Sequence, residues 1–396
     1  MGALSGIRVI DFTRVVAGPY CTMLLGDLGA EVIKIEQPGR GDDSRGWGPP
    51  FEAGESTYFL AVNRNKQSVC LDLQSAAGVA QARALIARGD IVIENFRAGF
   101  MDRLGLGYED LRAAHPRLIY CAITGYGQTG PYRERAGYDV IVSAQGGLMG
   151  ITGTPGGPPV KTGVATLDLS TGLYAFSAIL AALYHRERSG QGQRLDVSLL
   201  STQLATLLNA ASGYLVAGEL PGPEGSAHPS IVPYQAFRAA DGYIVIGAGN
   251  DKLFAQLCVA LGHPEWAADP RFATNADRVA RRDVLVPAIE AVLRTDTVTA
   301  WEQRLAATQV AVAPVNDMAQ VFADPQVAHS RQVVTVDHPA AGEIKLVGPA
   351  VTYSLTPAEV RSAPPLLGEH TAAVLGTLPD DAPATPDAGA GGDSAS

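Results

Sequence analysis

The chain has 396 residues, 46% of them hydrophobic, which is enough apolar material for a large core and for two domains. Thirty Lys and Arg face forty Asp and Glu, and a net charge of −10 argues against a nucleic-acid partner, which needs a basic face. No apolar run approaches the roughly 20 residues that cross a bilayer, and no charged leader precedes the first strand pattern, so no membrane partner and a cytoplasmic location are expected.

The first third alternates β-rich runs with amphipathic stretches, the signature of βαβ units on a parallel sheet. IRVIDF (7–12), EVIKIE (31–36), DIVIENF (90–96) and RLIYCAITGYG (117–127) read as strands. Between the first two lies AGPYCTMLLGDLGA, in which Pro19 suits the first turn of a helix and Gly29 its close. From Leu169, LSTGLYAFSAILAALYHRER reads as a long apolar helix, buried or packed on another chain, and QRLDVSL as the strand after it.

After about residue 200 the pattern loosens, and the Gly- and Pro-rich stretch 218–235 reads as a linker into a smaller domain. That domain opens with the strand DGYIVIGAGN and continues with helical patterns at 251–261 and 282–305. HPAAGEIKLVGPAVTY returns to a hairpin-like β pattern. The expected division is therefore 1–200 as the first part of a large α/β domain, 201–235 as linker and 236–335 as a small domain. Residues 336–376 return to the large domain, and 377–396 form a disordered tail.

Cys21, Cys70, Cys121 and Cys258 are scattered without a CxxC pair; three of them sit inside apolar runs that read as core, and the four read as reduced and structural. The seven histidines are equally dispersed, so no metal is expected. A dinucleotide site is suggested by Glu36 at the end of the second strand, but the first turn, TRVVAGPY, lacks the GxGxxG fingerprint.

Asp168 precedes the long apolar helix and has two compatible readings. It suits a helix N-cap, and the helix's positive end would also favour an ionised carboxylate able to act as a nucleophile. Arg14, Arg45, Asn95, Arg97 and Arg103 fall at or after predicted strand ends, where an open sheet meets an anionic ligand, although any one of them suits a solvated surface. Gly125, Gly127, Gly146 and Gly147 either close turns or expose N–H groups toward an oxyanion.

Taken in order, LSGIRVIDFTRVVAGPY, LGDLGAEVIKIEQPGRGDDSR, FLAVNRNKQSVCLDL, VIENFRAGFMDRLG, YCAITGYGQTGPY, the Asp168 segment and PLLGEHT resemble the family III CoA-transferases, the CaiB/BaiF group with formyl-CoA and carnitine CoA-transferases. The resemblance spans Leu4 to Leu375. It implies an open Rossmann-like α/β domain built from both chain ends, a smaller α+β domain and an interlocked homodimer.

The same resemblance implies CoA thioesters and small carboxylic acids as substrates, no tightly bound cofactor, and Asp168 as a nucleophile passing through aspartyl anhydride and aspartyl-CoA thioester intermediates. It assigns the CoA site to Val16, Ala17, Leu71, Asp72, Leu73, Gln74, Asn95, Phe96, Arg97 and Arg103, with Tyr138 and Asp139 nearby. Gln37 and Ala136 depart from the arginine and lysine that formyl-CoA transferase carries there.

Around GSAHPSIVPYQAFR the likeness is to the succinyl-CoA:glutarate branch. It implies an acceptor such as glutarate or 3-hydroxymethylglutarate, with Arg14, Gly146, Gly147, His228, Ser230 and Tyr234 as candidate substrate contacts; the last three equally suit ordering a linker. Racemases of the superfamily carry a histidine base where Tyr138 stands, and an unperturbed tyrosine with a pKa of about 10 is a poor base, so transfer is favoured over α-proton exchange. A CoA-binding protein without catalysis is the remaining alternative.

Overall fold

A computed structural model describes residues 1–378, so the tail expected from 377 lies, from 379 on, outside the described residues. The chain divides into two units. The first comprises Met1–Leu148, Thr162–Ser212 and the chain from His329 onward; the second comprises Met149–Lys161 and Gly213–Ala328. Met149–Lys161, read from the sequence as large domain, groups with the second unit, where the Gly153 carbonyl accepts the Gly225 N–H at 2.7 Å; this Gly- and Pro-rich segment has no periodicity to announce it.

Side-chain parity organises the first unit. Six strands, β1 (Arg8–Asp11), β2 (Glu31–Glu36), β3 (Lys66–Cys70), β4 (Ile91–Glu94), β5 (Ile119–Thr124) and β6 (Arg194–Ser198), form one parallel sheet in the order β3-β2-β1-β4-β5-β6. Val9 pairs with Val32 on one side and Ile91 on the other. Successive side chains leave a strand on opposite faces. Val9, Ile91, Ile93, Ile119, Cys121 and Ile123 therefore build one core, and Ile10, Ile33, Ile35, Val92, Tyr120 and Ala122 build another. A sheet buried on both faces needs the near-continuous apolar runs seen in β1, β2, β4 and β5.

The longer helices of this unit are α1 (Ala17–Asp27), α2 (Ala76–Ile86), α3 (Asp139–Gln145), α4 (Thr166–Ser189) and α5 (Leu199–Thr206), with α6 (Leu208–Ala217) leading into the second unit. α1 and α4 supply Cys21, Leu25, Ala175, Ile179 and Ala182 to the first core, and α2 supplies Ala82, Leu85 and Ile86 to the second. Pro19 lies in the first turn of α1, and Gly29, at φ +104°, follows its end in the left-handed region that favours glycine.

Sequence expectations change in this unit. β3 was not expected, because KQSVC reads as polar; its Lys66 is buried, donating to Asn63 Oδ1 and the Pro19 carbonyl at 2.9 Å each. Residues 201–217, expected as linker, are helical, but α6 buries none of its residues and so shows no core-facing stripe. Finally, α4 is 24 residues long and apolar enough, by length and composition, to cross a bilayer. Its hydroxyl residues Ser170, Thr171 and Ser177 donate to the carbonyls four residues back, which satisfies groups that look polar in the letters. In the fold α4 packs through Leu167, Gly172, Ala175, Ile179 and Ala182 as a core helix.

The second unit holds an antiparallel sheet of β7 (Tyr234–Arg238), β8 (Tyr243–Gly247) and β9 (Ala311–Pro314), with β8 central. Helices α7 (Asp251–Ala260), α8 (Arg282–Leu293) and α9 (Val298–Ala306) close its core around Phe237, Ile244, Phe254, Ile289 and Trp301. The expected helix over 282–305 is two helices, because the Thr297 side chain accepts the Ala300 N–H and starts a new one. The expected hairpin is present in the first unit, where β10 (Val333–His338) pairs with β11 (Gly342–Val347).

The approach of α4 to α1 sets where the first turn of α4 stands. A Cβ on Gly172 would lie 2.6 Å from the Ala17 carbonyl oxygen. Gly172→Ala is expected to force the helices apart and lower stability by about 1–3 kcal/mol, read by urea denaturation; an unchanged transition would refute the close packing.

Candidate active site

An open parallel sheet presents ligands to the crevice beyond its strand C-termini, where the strand order reverses. Here that point lies between β1 and β4, and the loops leaving them are built together. Asn95 Oδ1 accepts the Arg14 N–H at 2.9 Å, and Asn95 Nδ2 donates to the Arg14 carbonyl at 2.8 Å. Beneath them Lys34, without solvent contact, donates to the Thr13 carbonyl at 2.7 Å and to Asp42 Oδ2 at 2.8 Å. Burial works against the Lys34 charge, but Asp42, Asp11 and Glu36 outweigh it and hold its pKa above the lysine value.

Asp42 in turn accepts the N–H of Val15, whose φ of +72° is a left-handed conformation rare for a β-branched residue. Such strain persists only where the surroundings over-determine it, and it clusters at functional sites.

Two cavities open at this switch point. One, of about 170 Å³, is lined by Arg14, Val16, Ala17, Asn95, Phe96, Arg97, Ala136, Tyr138 and Asp168 among others. The second, of about 340 Å³, is lined by Gln37, Leu71, Asp72, Leu73, Gln74, Phe100 and Arg103 among others. They share a wall of Arg14, Phe96 and Arg97. Segments around Arg14, Gln37, Asp72, Phe96, Tyr138 and Asp168 are thus brought to one place.

Asp168 is half-buried in the first turn of α4, but it is not the cap expected from the sequence. The cap position is Ala165, and the Leu167 and Asp168 N–H groups donate instead to Asp139 Oδ2, at 2.9 and 3.2 Å. The Asp168 carboxyl accepts no hydrogen bond from the described residues. Burial, and then the charge of Asp139, push its pKa up to about 7, against the expectation that the helix end alone would favour ionisation. Tyr58 feels the same region: burial, then Asp168 and Asp139, hold its phenol above the usual value.

Positive charge is unevenly committed. Arg14 pairs with Asp43 at 3.3 Å and Arg133 with Glu134 at 2.8 Å. Arg97 and Arg103 are exposed and make no ion pair among the described residues, and Arg135 sits 3.8 Å over the Tyr132 ring with no carboxylate partner. Arg45, expected beside an anion, is instead taken by Glu36 through bonds of 2.8 and 2.7 Å and lines neither cavity. The same bonds, with Ser68 and the Asp42 N–H, occupy Glu36 and leave it no capacity for a ribose.

Gly146 and Gly147 line neither cavity. The Gly146 N–H donates to the Val142 carbonyl at 2.6 Å and the Gly147 N–H to Ala144 at 3.5 Å, so both close α3 rather than face an oxyanion. Gly127 likewise donates to Thr124 Oγ1, while Gly125 lies in the Asp168 cavity. His228, Ser230 and Tyr234 belong to the second unit. There the Ser230 N–H donates to His228 Nδ1, and the His228 ring meets Tyr234 edge-on at 5.6 Å.

Asp43, Arg133, Arg135 and Tyr58 escaped the sequence reading; the alternating charges of RERAGYD were the one available signal. Among the described residues no three His, Cys, Asp or Glu side chains converge as metal ligands, and all four cysteines are free thiols.

Residues 4–371 match the family model described as CoA-transferase family III. Succinyl-CoA:glutarate CoA-transferase of Mus musculus is 48% identical over 375 residues, which cover 95% of this chain and 86% of that protein. Succinate–glutarate CoA-transferase of Agrobacterium fabrum is 44% identical, covering 95% of each. A crystal structure of a CaiB/BaiF family protein from Brucella suis superposes with a TM-score of 0.86 at 42% identity, over 96% of this chain and all of that one.

The Asp168 environment sets one expectation. With aspartate carboxyls labelled by carbon-13, one resonance should titrate near pH 7 and vanish in Asp168→Asn. If the only resonance lost in that variant titrates near pH 4, as ordinary aspartates do, the buried, repelled carboxyl is refuted.

Proposed function

The chain belongs to CoA-transferase family III, and from that premise we propose that it moves CoA from succinyl-CoA to a dicarboxylic acid such as glutarate or 3-hydroxymethylglutarate, with Asp168 as nucleophile. The observation that carries the reading is the Asp168 carboxyl: it bonds to no described residue and faces a cavity that shares a wall with the one holding Arg103. A thioester with its sulfur near that wall would present its carbonyl to Asp168 and its anionic nucleotide to the uncommitted Arg97 and Arg103.

Asp168 would attack the thioester carbonyl; the C–S bond breaks, giving a mixed anhydride and CoA thiolate. The thiolate attacks the aspartyl carbonyl, releases the donor acid and leaves an aspartyl-CoA thioester. An acceptor carboxylate then displaces the thiolate from Asp168, and the thiolate takes the new acyl group, restoring the free aspartate. No step consumes ATP, because each acyl bond formed replaces one of similar energy. Covalent catalysis divides a difficult exchange into easier ones, and water must be kept out because either intermediate hydrolyses.

Support for a dicarboxylate acceptor comes from the names of the relatives and from Arg135, which leaves positive charge in the Asp168 cavity for a second, unreacting carboxylate. A homodimer completes the reading. The exposed apolar side chains of Leu208, Tyr214, Leu215 and Val216 on α6, and of Leu173, Tyr174 and Tyr184 on α4, form surface of the kind that protein partners cover.

Incubation with succinyl-CoA and a panel of acids is expected to yield a new acyl-CoA and succinate, whereas exchange of an α-proton alone would mark a racemase and neither product a binder. Asp168→Ala should lower turnover by at least about a thousandfold while CoA binding persists. Full activity in that variant, or a trapped acyl label on another residue, overturns the assignment.

A further inference from the structure

The first turn of a helix leaves its N–H groups without partners, and a neutral Ser, Thr or Asn at the cap would satisfy them. In α4 the cap position holds Ala165, which has no polar side chain, and the acceptor comes from elsewhere: one oxygen of Asp139, the first residue of α3, takes the N–H groups of both Leu167 and Asp168. A single carboxylate thus joins the starts of two helices, one of which carries the nucleophile, while the neighbouring Tyr138 lines its cavity.

Capping does not require a charge, and this charge stands beside Asp168. The ionisable groups around the same space are Arg14, Asp43, Arg97, Arg133, Arg135 and Tyr138 in the cavity wall, with Tyr58 close by. None of them bonds to the carboxyl of Asp168 or of Asp139. The negative charge of Asp139 therefore acts on Asp168 with no bonded cation between them among the described residues, and after burial it is what raises the Asp168 pKa.

We propose that Asp139 is a positioning residue that clamps the first turn of α4 through the Leu167 and Asp168 N–H groups, and whose charge disfavours the free Asp168 carboxylate relative to its neutral acylated form. When Asp168 attacks a thioester, its oxygen gains the acyl carbon, the C–S bond breaks, and the negative charge leaves on sulfur. Repulsion between the two aspartates is relieved in that step. It also makes Asp168 a more basic oxygen nucleophile, closer to a thiolate in basicity, so that the exchange runs nearer to balance.

The inference rests on Asp168 being the nucleophile, and its test separates the two. Asp139→Asn keeps an acceptor oxygen and removes the charge; Asp139→Ala removes both. In Asp139→Asn the acid limb of kcat/KM against pH should move down by about one pH unit, with the melting temperature unchanged. The limb should stop short of the ordinary aspartate value, because burial remains.

Asp139→Ala should show the same displacement together with a lower melting temperature and a fall in kcat of about tenfold, since the turn loses its clamp. Hydroxylamine trapping during turnover locates the acyl label. A label absent from Asp168 in the unsubstituted protein defeats the nucleophile reading. A label at Asp168 with an unmoved acid limb in Asp139→Asn overturns the role of Asp139 alone.

Discussion

Everything at the switch point depends on charges that have no access to water. Lys34 and Lys66 lie beneath the loop that leaves the first strand, Lys34 held by Asp42 and the Thr13 carbonyl, Lys66 by Asn63, the Pro19 carbonyl and Asp11 at 3.4 Å. An unpaired buried ion costs several kcal/mol, so each must keep its partners, and the partners are the backbone and carboxylates that shape the loop. Burial opposes the charge of Asp11 too, but Lys66, Lys34, Thr13 and Thr22 hold its pKa below the ordinary value. The left-handed Val15 is one consequence, because its N–H is drawn to the Asp42 carboxylate.

This anchored loop forms part of the wall that two adjoining cavities share. Arg14 and the Phe96–Arg97 pair belong to both, and Asn95 ties the two loops through both its amide atoms. A long ligand with an anionic end and a reactive end needs such an arrangement, since each end is held by different chemistry. Among the described residues Arg97 and Arg103 pair with no carboxylate, whereas Arg45 is spent on Glu36. Counting arginines near strand ends would not separate these cases; their partners do.

Much of the fold was legible in the letters. Strands β1, β2, β4 and β5 announced themselves because both faces of a buried sheet demand apolar residues in succession. β3 did not, because Lys66 and Ser68 are buried polar residues whose partners, Asn63 and Glu36, are known only once the chain is folded. α6 was missed for the opposite reason: its apolar residues are exposed, and nothing in the letters says what covers them. At the site, Asp168 was noticed from its place before an apolar helix, but its capping partner is 29 residues away and could not be read from spacing.

The sequence by itself determined the parallel α/β class, the long core helix, the family and the acid that heads that helix, because these rest on local periodicity and on the order of motifs. The tertiary structure decided which groups remain free to react. Gly146 and Gly147 spend their N–H groups on closing a helix, Arg45 spends its charge on Glu36, and the Asp168 carboxyl, beside that of Asp139, takes no hydrogen bond from the described residues. The reason is that a side chain's chemistry is set by what surrounds it in space, and hydrogen bonds and charge repulsion between residues far apart in the chain exist only after folding.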